Sequence, residues 1–73
     1  MKYQQFGESV ARFRQKKGIS AYELSLRINK DTTYISKVEK GIVNVRLSVI
    51  YEICVALDIR PTDLFRDSTL RSE

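Results

Sequence analysis

Apolar residues recur along this chain at spacings of three and four, in short runs separated by polar turns. Tyr3, Phe6, Val10 and Phe13 form the first stripe. That period predicts a helix from about Gln4 to Lys17. Lys16 and Lys17 suit its C-terminal end, where carbonyl dipoles favour cations, and Gly18 supplies a left-handed residue to stop it. A second helix opens at Ser20. In "SAYE" the Ser20 hydroxyl caps the first turn while Glu23 reaches back to the cap. Leu24 and Ile28 form its inward edge, with Leu26 a weaker candidate. Asn29 is the next-best residue after glycine for a left-handed turn. Asp31 then caps a third helix, which carries Ile35 and Val38 inward and ends at Gly41. Helices two and three are joined by only about three residues, Asn29 to Asp31, which forces a sharp angle between them.

After the loop "IVNVR", a fourth helix is predicted from about Arg46 to Leu57. Its core side takes Leu47, Ile50, Ile53 or Cys54, and Leu57. Val49, Tyr51, Val55 and Ala56 extend the apolar surface around it, more than one face of a small domain uses. "RPTDLF" opens a last short helix, with Pro61 at its first position or Thr62 as its cap, and with Leu64 and Phe65 packing back. No β-alternation or hairpin dipeptide interrupts this series. The prediction is an all-α chain of five short helices: one domain over residues 1–67 and a polar, fraying tail over 68–73.

Composition narrows the function classes. At 73 residues and 42% hydrophobic, the chain suits one packed domain, marginal alone unless it packs efficiently or dimerises. A single cysteine, Cys54, excludes an internal disulfide, fits a reducing cytoplasm and is expected to be a core thiol. No apolar run approaches the roughly 18 residues of a membrane helix. "MKYQQFGESV" lacks the apolar stretch of a secretory signal. There is no histidine, no glycine-rich phosphate loop and no cluster of metal ligands. The expectation is therefore a cytoplasmic non-enzyme with no cofactor, no metal, no membrane contact and no evident small-molecule ligand. The charge is uneven. Residues 1–46 carry ten lysines and arginines against four carboxylates, a net of +6; residues 47–73 carry three against five, a net of −2. The basic part points to a polyanion, or else to a solvated lysine-rich surface.

A short helix, a tight three-residue turn and a sharply angled second helix make the helix-turn-helix arrangement. The segments "FGESVARFRQKKGIS", "YELSLRINKDTTYISKVEKG" and "LSVIYEICVALDIRPTDLF" resemble the lambda-repressor-like, or XRE-type, family across residues 6–65. "NVRLSVIYEICVAL" is also similar to the small controller proteins of restriction-modification systems and to phage and mobile-element regulators. The chain departs from the family at four places. Ala21 stands where a phosphate-gripping Gln is usual, Ser25 replaces an alanine, Asn29 replaces the turn glycine, and Lys30 replaces a small apolar residue.

The resemblance implies a lambda-repressor-like five-helix domain whose third helix enters the major groove of double-stranded DNA. Thr32 and Thr33 would then face base edges, or merely fill the first helical turn; Ser36 and Lys37 follow one turn later, with Lys37 reaching a guanine or a phosphate. Phosphate candidates are Lys17, Ser20, Lys30, Lys40 and Asn44. Tyr34 would join them through its hydroxyl or lie on the neighbouring helix. In the family, the residues matching Arg14 and Glu39 form a partly buried ion pair between the first and third helices. The expected function is a transcriptional regulator, mainly a repressor, acting as a homodimer on a near-palindromic operator. Val49, Ile53, Ala56, Leu64 and Phe65 are the expected interface. The rival readings are an antitoxin, a restriction-modification controller, and a protein-interaction module that kept the fold.

Overall fold

A computed structural model of the chain describes residues 2–65; the polar tail at 68–73 lies outside them. Four helices, α1 (Lys2–Lys16), α2 (Ala21–Arg27), α3 (Thr32–Lys40) and α4 (Leu47–Leu57), follow in order. A last short helix, α5, covers residues 61–65. The described residues contain no strand, and none of their helices is long and apolar enough to cross a membrane.

The helix boundaries follow from local chemistry. The Ser20 hydroxyl accepts the Glu23 N–H at 3.0 Å and starts α2. The Asp31 carboxylate accepts the Tyr34 N–H at 2.7 Å and starts α3. Gly41, at φ 76°, ends α3 in the left-handed conformation, with its N–H bonded to the Val38 carbonyl and that of Ile42 to Lys37. Asn29 does adopt the left-handed conformation, at φ 59°, and so turns the chain from α2 into α3. One detail differs from the capping-box expectation. The Glu23 carboxylate does not reach back; it pairs with Arg27 at 2.7 Å, four residues on. Glutamate four residues before a cation is the favourable order on a helix, and both groups are exposed.

The core is assembled from all five helices. Val10, Leu24, Ile35, Val38, Ile53, Leu57 and Leu64 are sealed from solvent, and Phe6, Ile28, Val49 and Cys54 nearly so. Each large side chain among these contributes about 1.5–3 kcal/mol by leaving water. Leu26 lies outside this set and is exposed. Two residues from Leu24 is 200° around a helix, so both cannot face inward. Burial pushes the Cys54 thiol pKa up, and the Asp63 charge adds to it; the thiol stays protonated and inert at neutral pH.

Two expectations for α4 are corrected. Its inward stripe is Val49, Ile53, Cys54 and Leu57, whereas Leu47 is exposed and Ile50 half-buried. Val49, Ile53 and Leu64, expected at a dimer interface, are interior residues of one chain and have almost no surface to offer a partner. Ala56 is half-buried. The exposed apolar residues here are Leu47, Tyr51 and Val55, four apart along α4, and Phe65 of α5. The Phe65 ring stacks on Phe6 of α1 at 5.9 Å.

Helix α1 lies against α3 at Gly7. A Cβ there would run into the backbone carbonyl of Val38 and come within 2.7 Å of that of Glu39. This contact sets how closely α1 approaches α3.

Candidate nucleic-acid interface

Helix α3 has two faces of opposite character. Ile35 and Val38 are buried and anchor it. Thr32 and Thr33 in its first turn, and Lys37 and Lys40 further on, are exposed, with Ser36 half-buried between them. Among the described residues, the side chains of Lys37 and Lys40 make no ion pair or hydrogen bond. Two threonine hydroxyls and two unpaired ammonium groups are thus presented on one rigid helix. Hydroxyls and ammonium groups of this kind hydrogen-bond base edges and phosphates.

The flanking residues are less uniform. Lys30 is exposed on the turn, and its Nζ stands 5.5 Å from the centroid of the Tyr34 ring. An exposed Lys30 leaves the turn packing intact, since Ile28 beside it fills the core position. Tyr34 is half-buried and packs against the core through its ring. Ser20 uses a lone pair to cap α2, so its O–H remains available to donate. Asn44 is exposed in the loop after α3. Lys17 is the least suited of the phosphate candidates, because its Nζ is directed at the Asp58 carbonyl, 3.5 Å away at the end of α4.

Arg14 and Glu39 form the expected ion pair. The Arg14 Nε donates to Glu39 Oε2 at 2.7 Å and its second nitrogen to Oε1 at 3.2 Å, a bidentate fork. Both side chains are only 15% exposed. The remaining guanidinium nitrogen donates to the Ile19 carbonyl at 2.9 Å, so a single arginine ties α1, the α1–α2 turn and α3 together. The Glu39 hydrogen bond raises the Arg14 pKa against the burial that would lower it. Glu39 is thereby neutralised where a bare carboxylate would repel a phosphate.

Three contacts were not drawn from the sequence. Gly7 looks like any helix-interior glycine until the α3 carbonyls are seen beside it. Arg27 donates to the Ala56 carbonyl at 2.8 Å and pins α2 to the end of α4; its spacing from Glu23 is the one signal the sequence offered. Ser25, 2% exposed, donates to the Tyr22 carbonyl at 2.5 Å and lies 3.4 Å from the Thr32 hydroxyl.

The helix-turn-helix family model matches residues 10–64. The chain belongs to the helix-turn-helix family. The match spans α2, the Asn29 turn and α3, so the XRE-type resemblance read from "YELSLRINKDTTYISKVEKG" holds. Within the family, the control protein C.BamHI of Bacillus amyloliquefaciens is 36% identical over 66 residues, covering 89% of this chain and 82% of that protein. The crystal structure of the restriction-modification controller protein C.AhdI from Aeromonas hydrophila is 35% identical, with a TM-score of 0.82 over 85% of this chain and 90% of that one. The C.Esp1396I controller tetramer, solved with its natural 35 base-pair operator, shares the fold at a TM-score of 0.84 and 22% identity, over 94% of this chain and 91% of that one.

Proposed function

We propose that this helix-turn-helix protein is a sequence-specific, double-stranded DNA-binding transcriptional regulator acting from the cytoplasm as a homodimer. It is not an enzyme. The observation that carries the reading is α3 itself. Ile35 and Val38 are buried on one side, while Thr32, Thr33, Lys37 and Lys40 are exposed on the other. In this account Thr32, Thr33, Ser36 and Lys37 meet base edges. Lys30, Lys40, Ser20, Asn44 and the Tyr34 hydroxyl hold phosphates and set the register. Arg14 and Glu39 fix the angle of α3. Two such helices about 34 Å apart in a dimer read the two halves of a near-palindromic operator. Repression follows where the bound dimer occludes the polymerase.

A restriction-modification controller role is the favoured specialisation. C.BamHI, the curated relative at 36% identity, bears the name of a control protein, and C.AhdI at 35% is a restriction-modification controller.

Two substitutions separate reading from holding. Thr33→Ala should relax base preference at one operator position by about 1 kcal/mol, leaving random duplex bound as before. Lys40→Ala should weaken specific and random duplex alike and make the salt dependence shallower by roughly one unit of slope. Fluorescence anisotropy on matched and scrambled duplexes reads both. Equal losses on both duplexes for Thr33→Ala would remove that residue from base recognition. A protein-interaction module would bind neither duplex.

The dimer is assigned to the exposed stripe Leu47, Tyr51 and Val55 with Phe65, on the acidic side of the chain. Val55 is 80% exposed, so Val55→Asp costs the single chain little. It places two carboxylates near a shared axis and should convert dimer to monomer, with loss of tight operator binding. Sedimentation velocity at tens of micromolar reads this directly. A wild-type chain that stays monomeric there contradicts the dimer, and a Val55→Asp chain that stays dimeric moves the interface elsewhere.

A further inference from the structure

Ser25 is buried behind the first turn of α3, and its hydroxyl has one proton to give. The Tyr22 carbonyl, 2.5 Å away, can only accept, so that proton is committed to it. The other polar neighbour of the Ser25 oxygen is the Thr32 hydroxyl at 3.4 Å. With its own proton spent, Ser25 meets Thr32 as an acceptor, and Thr32 must be the donor. The Thr32 proton therefore points back into the protein. Its methyl group and oxygen lone pairs are what remain for the solvent side, where Thr32 is exposed. No comparable partner holds the Thr33 hydroxyl among the described residues.

We infer that Ser25 is a positioning residue that fixes the polarity of the Thr32 hydroxyl, making Thr32 an acceptor towards DNA. The inference rests on the DNA-reading role proposed above for α3. An acceptor in the major groove is satisfied by an exocyclic amino group, adenine N6 or cytosine N4. Thymine O4, guanine O6 and guanine N7 are themselves acceptors, as are phosphate oxygens. Thr32 thus favours adenine or cytosine on the strand it contacts and disfavours a phosphate. A separation of 3.4 Å is long for a bond between hydroxyls, so the bias is modest, on the order of fivefold in preference.

Selection from a random duplex pool by wild type, Thr32→Val and Ser25→Ala tests this. Valine keeps the shape of threonine and removes the hydroxyl, so the one operator position whose preference shifts in Thr32→Val is the position Thr32 reads. Wild type should prefer adenine or cytosine there by about fivefold over guanine or thymine. Ser25→Ala frees the Thr32 proton and should bring that ratio to about twofold or less, with the other positions unchanged. Three outcomes overturn the inference alone: wild-type preference for guanine or thymine at that position, an undiminished ratio in a folded Ser25→Ala, or no position shifted by Thr32→Val. The first and third need no Ser25 variant, so they decide even if Ser25→Ala fails to fold. A wild type that enriches no sequence overturns the DNA-reading role, and the inference with it.

Discussion

Gly7→Ala should destabilise the domain by about 3 kcal/mol and lower its Tm by roughly 15 °C. The substitution would ordinarily help. Alanine in a helix interior is favoured over glycine by about 1 kcal/mol. Here the added methyl meets the Val38 and Glu39 carbonyls of α3, both of them backbone atoms that no rotamer change can move. Overpacking against such atoms sits at or beyond the upper end of the usual 1–3 kcal/mol, so it outweighs the propensity gain. A domain of 73 residues has only about 4–11 kcal/mol to lose. Because the displaced residues are the last turn of α3, the variant should also bind DNA less tightly at temperatures where it remains folded. Thermal denaturation followed by circular dichroism measures the first effect. An unchanged or higher Tm would mean that α1 and α3 have room to separate.

Arg14→Ala should cost about 3 kcal/mol, and Glu39→Gln about 2 kcal/mol. An exposed ion pair contributes about 0–1 kcal/mol, and the difference here is burial. With both side chains 15% exposed, removing the arginine leaves the Glu39 carboxylate without its fork and the Ile19 carbonyl without its donor. Glutamine at position 39 keeps the shape and one hydrogen bond, so its effect is smaller. The double variant Arg14→Ala/Glu39→Gln should lose less than the sum of the two single changes, because no uncompensated charge is left behind. Urea denaturation of the four proteins completes the cycle, and strict additivity would show two independent surface charges. The pair is insensitive to pH in the neutral range on the arginine side. Glu39 raises the Arg14 pKa above its already high ordinary value. That contribution is complete below the unfolded value and fades only at strongly alkaline pH.

The local rules of helix capping and turns were legible in the residues. Ser20, Asp31, Asn29 and Gly41 do what their side chains or φ angles allow, and those choices depend on near neighbours only. Ile35 and Val38 were legible as the anchored face of α3 because their surroundings in sequence are polar. The phase of α4 was not. With apolar residues at nearly every position from Leu47 to Leu57, several stripes satisfy the same period. Only burial in the core shared with the other helices selects Val49, Ile53, Cys54 and Leu57. The same ambiguity put Val49 and Ile53 in the expected dimer interface. Gly7 and Ser25 escaped for another reason. Each acts through an atom on a different helix, at a distance that no spacing along the chain encodes.

The central claim is that α3 reads a defined duplex sequence. Its most direct test is the affinity of the wild-type protein for the duplex it enriches from a random pool, against a scrambled duplex, across a salt series. The expected result is an inverted repeat with half-sites about one helical turn apart, bound more tightly than the scrambled duplex by a factor on the order of 1,000 or more, with both affinities falling steeply as salt rises. Equal, salt-independent or absent binding to the two duplexes would contradict it.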